Sequence, residues 1–349
     1  MAIYENFFQT LGLCLRHRKE WFITMANAKI TGLGAYIPEK VYDNAYMESI
    51  VDTNDEWIQR RTGIQERHIS ADNEYTTDMA TKAAIKAIEN AGLTPEDIDL
   101  IIVGTVTPDY FTPSCACVVQ NNIGAVNAAA FDINSACTGF VTGLITAKQF
   151  IVSGMYKNVL VVCADDLSKA TDYKDRATCI LFGDAAGAAV LSATDEPGII
   201  TEAMGADGTG YKSITSLAIR DDDEELEQRI SKRKETIWMA GQTVMKFAVK
   251  AMADASELVL EKAGLTMDDI ALVVPHQANY RIVDSAIKRM GIGEDKVFLN
   301  LSKYGNTSGS CIPVALSQAV EQGRAKKGDK LILVGFGGGL TWGALIVQL

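Results

Sequence analysis

Histidine, tryptophan and proline are scarce in this 349-residue sequence, which holds 3, 4 and 7 of them. No apolar run approaches the ~20 residues needed to cross a bilayer, so we expect no membrane partner. A surplus of basic residues is also missing. The net charge of −11 excludes a general nucleic-acid binder. The 48% of hydrophobic and 22% of charged residues are typical of a globular protein with a sizeable core.

The cysteine pattern argues against a metal site and against disulfides. Of seven cysteines, Cys115 and Cys117 form a C-x-C pair, but no second pair stands at zinc-site spacing. We therefore expect no metal. An odd number of cysteines in a chain of this length, with no export signal, predicts reduced thiols in the cytoplasm.

The N-terminal stretch 1–25 is predicted to be an extension outside the core. The basic residues 16–19 follow a weakly apolar stretch instead of preceding it, which is the wrong order for a secretory signal. An amphipathic helix for a membrane or a partner is the alternative. From residue 26 onwards the pattern changes to that of a strand.

An internal repeat organises the rest of the chain. Residues 91–103 read AGLTPEDIDLIIV and residues 263–274 read AGLTMDDIALVV, so the two copies begin close to half a chain length apart. In each copy a helix ends at a glycine, Thr94 or Thr266 caps a short acidic turn, and a buried strand follows. The same offset relates later strands at 160–162 and 332–334.

The repeat predicts two α/β halves, at 26–195 and 196–349, that are related by pseudo-symmetry. The boundary falls in the turn-rich stretch 193–198. Such halves would bring their matching strand-to-helix turns together, and a site at that junction could use residues from both. The highly charged stretch 220–235 is interpreted as a solvated loop or helix face.

Cys137 stands where a strand ends near Ile133 and a helix is predicted to run from about Cys137 to Val152. A thiol at a helix N-terminus can be stabilised as a thiolate, and the unpaired backbone N–H groups there can stabilise an oxyanion. A lone cysteine in such a turn is more often a packed thiol, so the assignment depends on partners.

Two residues of the second half are candidate partners. His276 follows Pro275, which ends a buried strand and presents the imidazole at the strand's carboxyl end. Asn306 lies in a run of small residues just before a helix predicted at 312–322, where a capping role is the alternative. Three glycines at 337–339 allow a backbone to approach a reacting group closely.

The segments SACTGF, PHQAN, GNTSG and GFGGGLTWG, in this order, resemble those of thiolase-fold condensing enzymes. Specifically they resemble β-ketoacyl-acyl-carrier-protein synthase III, over about residues 29–349. The resemblance implies an αβαβα layered thiolase-like fold. It also implies a decarboxylative Claisen condensation of an acyl-CoA primer with malonyl-acyl-carrier protein, which initiates type II fatty acid synthesis.

The resemblance also implies the site. Cys137, His276 and Asn306 match the family's catalytic triad. Gly338 would share an oxyanion hole with Cys137, and Phe336 would keep the site apolar for decarboxylation. Coenzyme A thioesters are substrates in this family, and no cofactor is implied.

Further residues match the family's binding surfaces. The matching coenzyme A contacts are Trp57, Arg61 and Arg176, whereas Gln65 stands where many relatives carry arginine. A patch that docks the acidic carrier protein maps to four cations, Lys246, Arg281, Lys288 and Arg289. A homodimer is expected, in which Thr112 of the partner closes the acyl pocket, and its small side chain suggests a longer or branched primer.

Competing functions are separated by the same residues. A Cys/His thioester hydrolase would need neither the asparagine segment nor the glycines. A degradative thiolase would be expected to have a second cysteine within 335–343, and a non-catalytic chain-length factor would lack Cys137. A related synthase that primes a polyketide or other specialised pathway would share the triad, so this alternative stays open.

Overall fold

The computed structural model describes residues 27–219 and 235–349. The predicted extension at 1–25 lies outside these residues, and so does the charged stretch 220–235 except for its last residue. Within the described part of the chain, no helix is both long and apolar enough to span a membrane.

Strands and helices alternate along both halves of the chain. The strands are β1 (Asn27–Tyr36), β2 (Lys40–Asp43), β3 (Glu66–Ile69), β4 (Leu100–Gly104), β5 (Ala129–Ile133), β6 (Asn158–Asp165), β7 (Ala185–Thr194), β8 (Ile199–Ala206), β9 (Ile214–Thr215), β10 (Trp238–Met239), β11 (Leu272–Pro275), β12 (Lys330–Gly337) and β13 (Thr341–Gln348). The helices are α1 (Asn44–Ile50), α2 (Asp55–Thr62), α3 (Thr76–Asn90), α4 (Cys115–Ile123), α5 (Gly139–Val152), α6 (Arg176–Cys179), α7 (Gly241–Ala263), α8 (Tyr280–Met290), α9 (Leu301–Tyr304) and α10 (Cys311–Glu321).

Two mixed sheets repeat one topology. The first has the order β1-β7-β6-β4-β5 and the second the order β8-β13-β12-β11. Strands β4 and β6 pair in parallel, as do β11 and β12, while β7 and β13 run antiparallel to their neighbours. In the second sheet, Val297 forms a parallel bridge with Val273, at the position that corresponds to β5 of the first sheet. The predicted duplication is confirmed, because the starts of β1 and β8, of β4 and β11, and of β6 and β12 are all separated by the offset of the sequence repeat.

The helices form three layers around these sheets. Helices α3 and α4 cover the outer face of the first sheet, and α7 and α8 cover that of the second. Helices α5 and α10 lie between the sheets. The α10 helix, from the second half, packs mainly on β7 and β1 of the first sheet. The αβαβα arrangement explains why strands such as β4 are buried on both faces.

Corresponding turns in the two halves have the same local design. Thr94 and Asp97 form a capping box, and Thr266 and Asp269 form its counterpart in the second half. Likewise 3₁₀ turns at Ala136–Thr138 and Ser308–Ser310 precede α5 and α10. The backbone of both Ala136 (φ 46°) and Ser308 (φ 53°) is left-handed, and these two turns pack against each other.

Candidate active site

Cys137 lies in the 3₁₀ turn that precedes α5, not in the first turn of the α-helix as predicted. Its Sγ is 3.6 Å from Oγ of Ser308, a residue of the other half. The end of β12 passes so close that a Cβ at Gly337 would lie 2.7 Å from the backbone nitrogen of Cys137. Glycine is required there, as the glycine run predicted.

The Cys137 thiol is protonated at neutral pH. Desolvation of this partly buried thiol raises the pKa of Cys137 from 9.0 to about 12. Such a rise corresponds to up to roughly 4 kcal/mol, whereas a helix N-terminus contributes about 0.3–2 kcal/mol in the opposite direction. Desolvation therefore outweighs the stabilising effect of the helix N-terminus, and the thiol must lose its proton when the sulfur reacts.

His276 follows β11 and is almost completely buried. Its backbone N–H donates to the Val334 carbonyl at 2.7 Å, which fixes its position at the end of the second sheet. Burial lowers the pKa of His276 to about 3, so the imidazole is neutral. Its Nδ1 lies 2.8 Å from Sγ of Cys311, and burial raises the pKa of Cys311, which keeps its S–H bond. We assign this thiol as the donor to Nδ1, which places the imidazole hydrogen on Nε2.

Asn306 is held by its backbone and by one side-chain oxygen. Its N–H donates to the Leu181 carbonyl at 2.8 Å, and its carbonyl accepts from Gly183 at 3.0 Å. Its Oδ1 accepts the backbone N–H of Ser308 at 2.9 Å. Among the described residues Nδ2 has no hydrogen-bond partner, so the amide keeps a free donor beside the cavity that it lines. Asn306 thus caps the following turn through Oδ1, while its Nδ2 group stays available as a donor.

One cavity of about 430 Å³ brings the predicted residues of both halves together. The Phe336 ring meets the His276 ring edge-on, with 5.0 Å between ring centroids. The remaining wall is mainly apolar, with Leu167 and Met239 among its side chains. The predicted residues that line this cavity are Cys137, His276, Asn306, Phe336 and Gly338.

The predicted coenzyme A contacts lie outside this cavity. The Arg176 guanidinium stands 4.8 Å from the centroid of the Trp57 ring, and its Nη1 donates to the Asp52 carbonyl at 2.9 Å. A planar base between the two groups would need about 7 Å, twice the contact distance of ~3.5 Å. The predicted sandwich is therefore closed in this conformation. Arg61 is exposed, and Gln65 donates to Gln59 at 3.3 Å.

The predicted docking cations are exposed on α7 and α8. Lys288 pairs with Asp284 at 2.8 Å, and Arg289 pairs with Asp254 at 3.0 Å. Lys246 and Arg281 have no ion pair with any described residue. Thr112 is exposed too, and it does not line the cavity of its own chain. Half of the predicted patch is thus held by neighbouring carboxylates.

Three residues at the site were not predicted. Ser308 contacts the Cys137 thiol, Cys311 contacts His276, and Asp165 lies buried at the carboxyl end of β6. The repeat could have indicated Ser308, since it is the counterpart of Ala136, the residue before the nucleophile. No group of three or more His, Cys, Asp or Glu side chains within 27–219 and 235–349 could hold a metal ion.

The duplicated halves, with a cavity at their junction that both halves line, are those of an acyl-transferring condensing enzyme of the thiolase fold. The family model for 3-oxoacyl-[acyl-carrier-protein] synthase III matches residues 131–208. The family model for the C-terminal part of this enzyme matches residues 260–349. The chain belongs to the 3-oxoacyl-[acyl-carrier-protein] synthase III family.

Individual relatives cover nearly the whole chain. A beta-ketoacyl-[acyl-carrier-protein] synthase III of Clostridioides difficile (strain 630) is 52% identical over 92% of this chain and 98% of its own. The crystal structure of the synthase III of Aquifex aeolicus VF5 is 44% identical, with a TM-score of 0.86, and covers 92% and 100%. The priming beta-ketosynthase of the R1128 polyketide pathway is 35% identical, with a TM-score of 0.87, over 93% and 97%.

Proposed function

We propose that the protein condenses an acyl-CoA primer with malonyl-acyl-carrier protein, with loss of CO₂, through an acyl group carried on Cys137. The product is a 3-ketoacyl-acyl-carrier protein, and the reaction is the initiating condensation of fatty acid synthesis. The observation that carries the assignment is the single cavity in which Cys137 of one half meets His276 and Asn306 of the other. The family's chemistry requires no cofactor.

Acyl transfer to Cys137 comes first in the proposed cycle. The sulfur attacks the thioester carbonyl, and the carbonyl oxygen gains charge as the tetrahedral intermediate forms. The backbone N–H groups of Cys137 and Gly338 are assigned to this oxyanion. The close passage of Gly337 past Cys137 supports the assignment, because it brings the end of β12 beside the nucleophile.

Decarboxylation of the malonyl group uses the other polar groups of the cavity. Loss of CO₂ leaves enolate charge on the thioester oxygen, and Nε2 of His276 and Nδ2 of Asn306 are neutral donors that could stabilise it. A donor of this kind is typically worth about 3–4 kcal/mol. Phe336, edge-on to the imidazole, would disfavour the carboxylate and so promote its loss.

Substrate entry would require the Trp57–Arg176 contact to open. Both side chains are reachable from solvent, and Arg176 is held mainly by the backbone of Asp52. We propose that the adenine of coenzyme A inserts between them and that Arg61 lies near the phosphates. For the acidic carrier protein, Lys246 and Arg281 are free to engage at once, whereas Lys288 and Arg289 would exchange their present carboxylates.

A homodimer is the proposed assembly. Strand β5 ends the first sheet, and its outer backbone edge has no strand partner among the described residues. Large apolar side chains of the first half are exposed: Val126, three residues before β5, is 73% exposed, Phe111 81% and Met155 62%. A second copy paired along β5 would cover them, and would bring its Thr112 loop towards the acyl pocket. If this edge is the interface, the Val126→Lys variant should have the molar mass of a monomer in light scattering.

The remaining assignments concern organisation and location. We propose halves at 26–195 and 196–349, with residues 1–25 outside the core, since β7 ends at Thr194 and β8 begins at Ile199. A cytoplasmic location is proposed on the cysteine usage, and the six described cysteines are free thiols.

The test of this function uses a panel of acyl-CoA primers. The protein is incubated with acetyl, four- to six-carbon and branched primers, and the peptide that contains Cys137 is weighed by mass spectrometry. Malonyl-acyl-carrier protein is then added, and 3-ketoacyl product is measured; Cys137→Ala is the control. An unmodified Cys137 with every primer would refute the acyl-enzyme route.

The second candidate is a synthase that primes a specialised pathway, which the 35% identity to the R1128 priming beta-ketosynthase favours. The small Thr112 predicts longer or branched primers in either pathway. A strong preference for acetyl-CoA would contradict that prediction. Product formed only with a carrier protein from a specialised pathway would support the second candidate.

A further inference from the structure

Gly338, whose N–H is assigned to the oxyanion, lies in a glycine run with little backbone rigidity of its own. Glycine has no Cβ, so its dihedral angles are less restrained than those of any other residue. The neighbouring positions are anchored, since Gly337 pairs with Thr341 and both backbone groups of Leu340 bond to Asp207, at 2.8 and 2.9 Å. Gly338 itself makes no backbone hydrogen bond within 27–219 and 235–349. Its orientation must therefore be fixed by other contacts.

The side chain of Thr341 provides such a contact. Its hydroxyl donates to the Gly338 carbonyl at 3.1 Å. Its methyl group lies beside Gly339, where a Cβ would be only 2.8 Å from it. Thr341 and Gly338 both line the cavity that contains the nucleophile. One side chain thus holds the Gly338 carbonyl by a hydrogen bond and packs against the next residue.

A row of four hydroxyls ties Thr341 to the turn of the nucleophile. Oγ1 of Thr138 donates to Oγ1 of Thr341 at 3.0 Å, and Oγ of Ser135 lies 2.7 Å from Thr138 and 3.0 Å from Thr142. The Ser135 carbonyl shares the hydrogens of Thr138 and Thr341, at 2.5 and 3.3 Å. With one donated hydrogen per hydroxyl, this hydroxyl row runs from Thr142 through Ser135, Thr138 and Thr341 to the Gly338 carbonyl.

We infer that Thr341 and Thr138 are positioning residues for the oxyanion hole. The inference rests on the proposed function, in which the N–H groups of Cys137 and Gly338 stabilise the tetrahedral intermediate. These two donors come from different halves of the chain, so their separation depends on contacts across the junction. Thr138 belongs to the turn of Cys137 and Thr341 to the turn of Gly338, and the bond between their hydroxyls joins the two turns. A donor acts only at about 2.7–3.1 Å from the oxyanion, so a small shift of Gly338 slows acyl transfer.

Two substitutions of Thr341 separate its hydroxyl from its methyl group. Thr341→Val removes the hydroxyl and keeps a methyl group beside Gly339, whereas Thr341→Ser keeps the hydroxyl and removes the methyl group. Thr138→Val removes the second hydroxyl of the link. Thr146→Val is the matched control, because the Thr146 hydroxyl donates to the Thr142 carbonyl within α5, at 2.8 Å, and is not part of the hydroxyl row.

The measurement is the ratio of two reaction rates at Cys137, each followed by the mass of the peptide that contains it. Acetylation by p-nitrophenyl acetate passes through an oxyanion but needs neither coenzyme A nor a carrier protein. Alkylation by iodoacetamide forms no oxyanion, so it corrects for changes in the thiol itself. We expect the acetylation-to-alkylation ratio to fall about tenfold in Thr341→Val and Thr138→Val. It should stay within about twofold of wild type in Thr341→Ser and Thr146→Val.

The outcomes distinguish a positioning role from packing and from a wrong substrate. A wild-type ratio in Thr341→Val would overturn the inference, and so would equal losses in Thr341→Val and Thr341→Ser, which would indicate packing alone. The two Thr341 variants decide the question if Thr138→Val does not fold. A tenfold loss in Thr341→Val, in a protein whose Cys137 accepts no acyl-CoA, would refute the proposed substrate and support the hydroxyl link. Acyl-CoA turnover with an unchanged ratio in Thr341→Val would refute the hydroxyl link alone.

Discussion

Replacement of His276 by glutamine should change how stability depends on pH. The folded-state pKa of about 3 lies below the ordinary value of 6.5, so the unfolded chain binds the proton more readily. The contribution of His276 to stability is therefore complete above pH 6.5 and is lost as the pH falls towards 3. His276→Gln keeps an amide near the same place but does not titrate, so it should remove this dependence.

The expected magnitude follows from the two pKa values. Their full separation corresponds to roughly 5 kcal/mol at 1.36 kcal/mol per pH unit. At pH 5.5, one unit below the unfolded value, about 1.4 kcal/mol should already be lost relative to pH 8. This pH still lies above the sequence pI of 4.9, so the chain keeps a net negative charge. Asp165 and Asp184 also titrate, but their effects cancel when wild type and variant are compared.

The assay is urea unfolding at pH 8 and pH 5.5, at one protein concentration for all variants. The stability difference between wild type and His276→Gln should shift by about 1.4 kcal/mol between the two conditions, in favour of the variant at pH 5.5. Asn306→Ala, in the same cavity but without a titrating group, should show no such shift. A difference between wild type and His276→Gln that is the same at both pH values would refute a buried neutral imidazole.

Three further predictions concern the cavity and its surroundings. Asn306→Ala should slow decarboxylation of malonyl-acyl-carrier protein about 10²- to 10³-fold, measured as CO₂ release, while acylation of Cys137 continues. Arg281→Glu should weaken carrier-protein binding about tenfold in a salt-dependent manner, seen by calorimetry, whereas equal affinity would place the docking surface elsewhere. Gly337→Ala should destabilise the fold by about 1–3 kcal/mol in thermal unfolding and slow acylation, because the added Cβ meets the nitrogen of Cys137; a fully active variant would contradict the close approach.

The repeated strands and helices, and the end of a strand at a proline, were predictable from the sequence. The internal repeat predicted both sheets, and Pro275 predicted the end of β11 before His276. The raised pKa of Cys137 was not predictable, because a helix start can be read from a local pattern but the desolvation of a thiol cannot. Ser308 contacts the Cys137 thiol from the other half of the chain, and no local pattern links the two residues.

The contact between Trp57 and Arg176 shows a different limit of prediction from sequence. The resemblance placed the two residues at one entrance, and they do lie side by side. Whether a gap stands between them depends on the hydrogen bond from Arg176 to the Asp52 carbonyl, which sequence similarity does not specify.

The packing of α10 against β7 and β1 has a consequence for synthesis on the ribosome. The inner face of the first sheet stays incompletely covered at β7 and β1 until residues 311–321 have been made, and Gly337 reaches Cys137 later still. A nascent chain therefore contains the nucleophile long before it contains a pocket. Truncated products should be unable to take up acyl groups, so that incomplete molecules are chemically silent and do not consume primer.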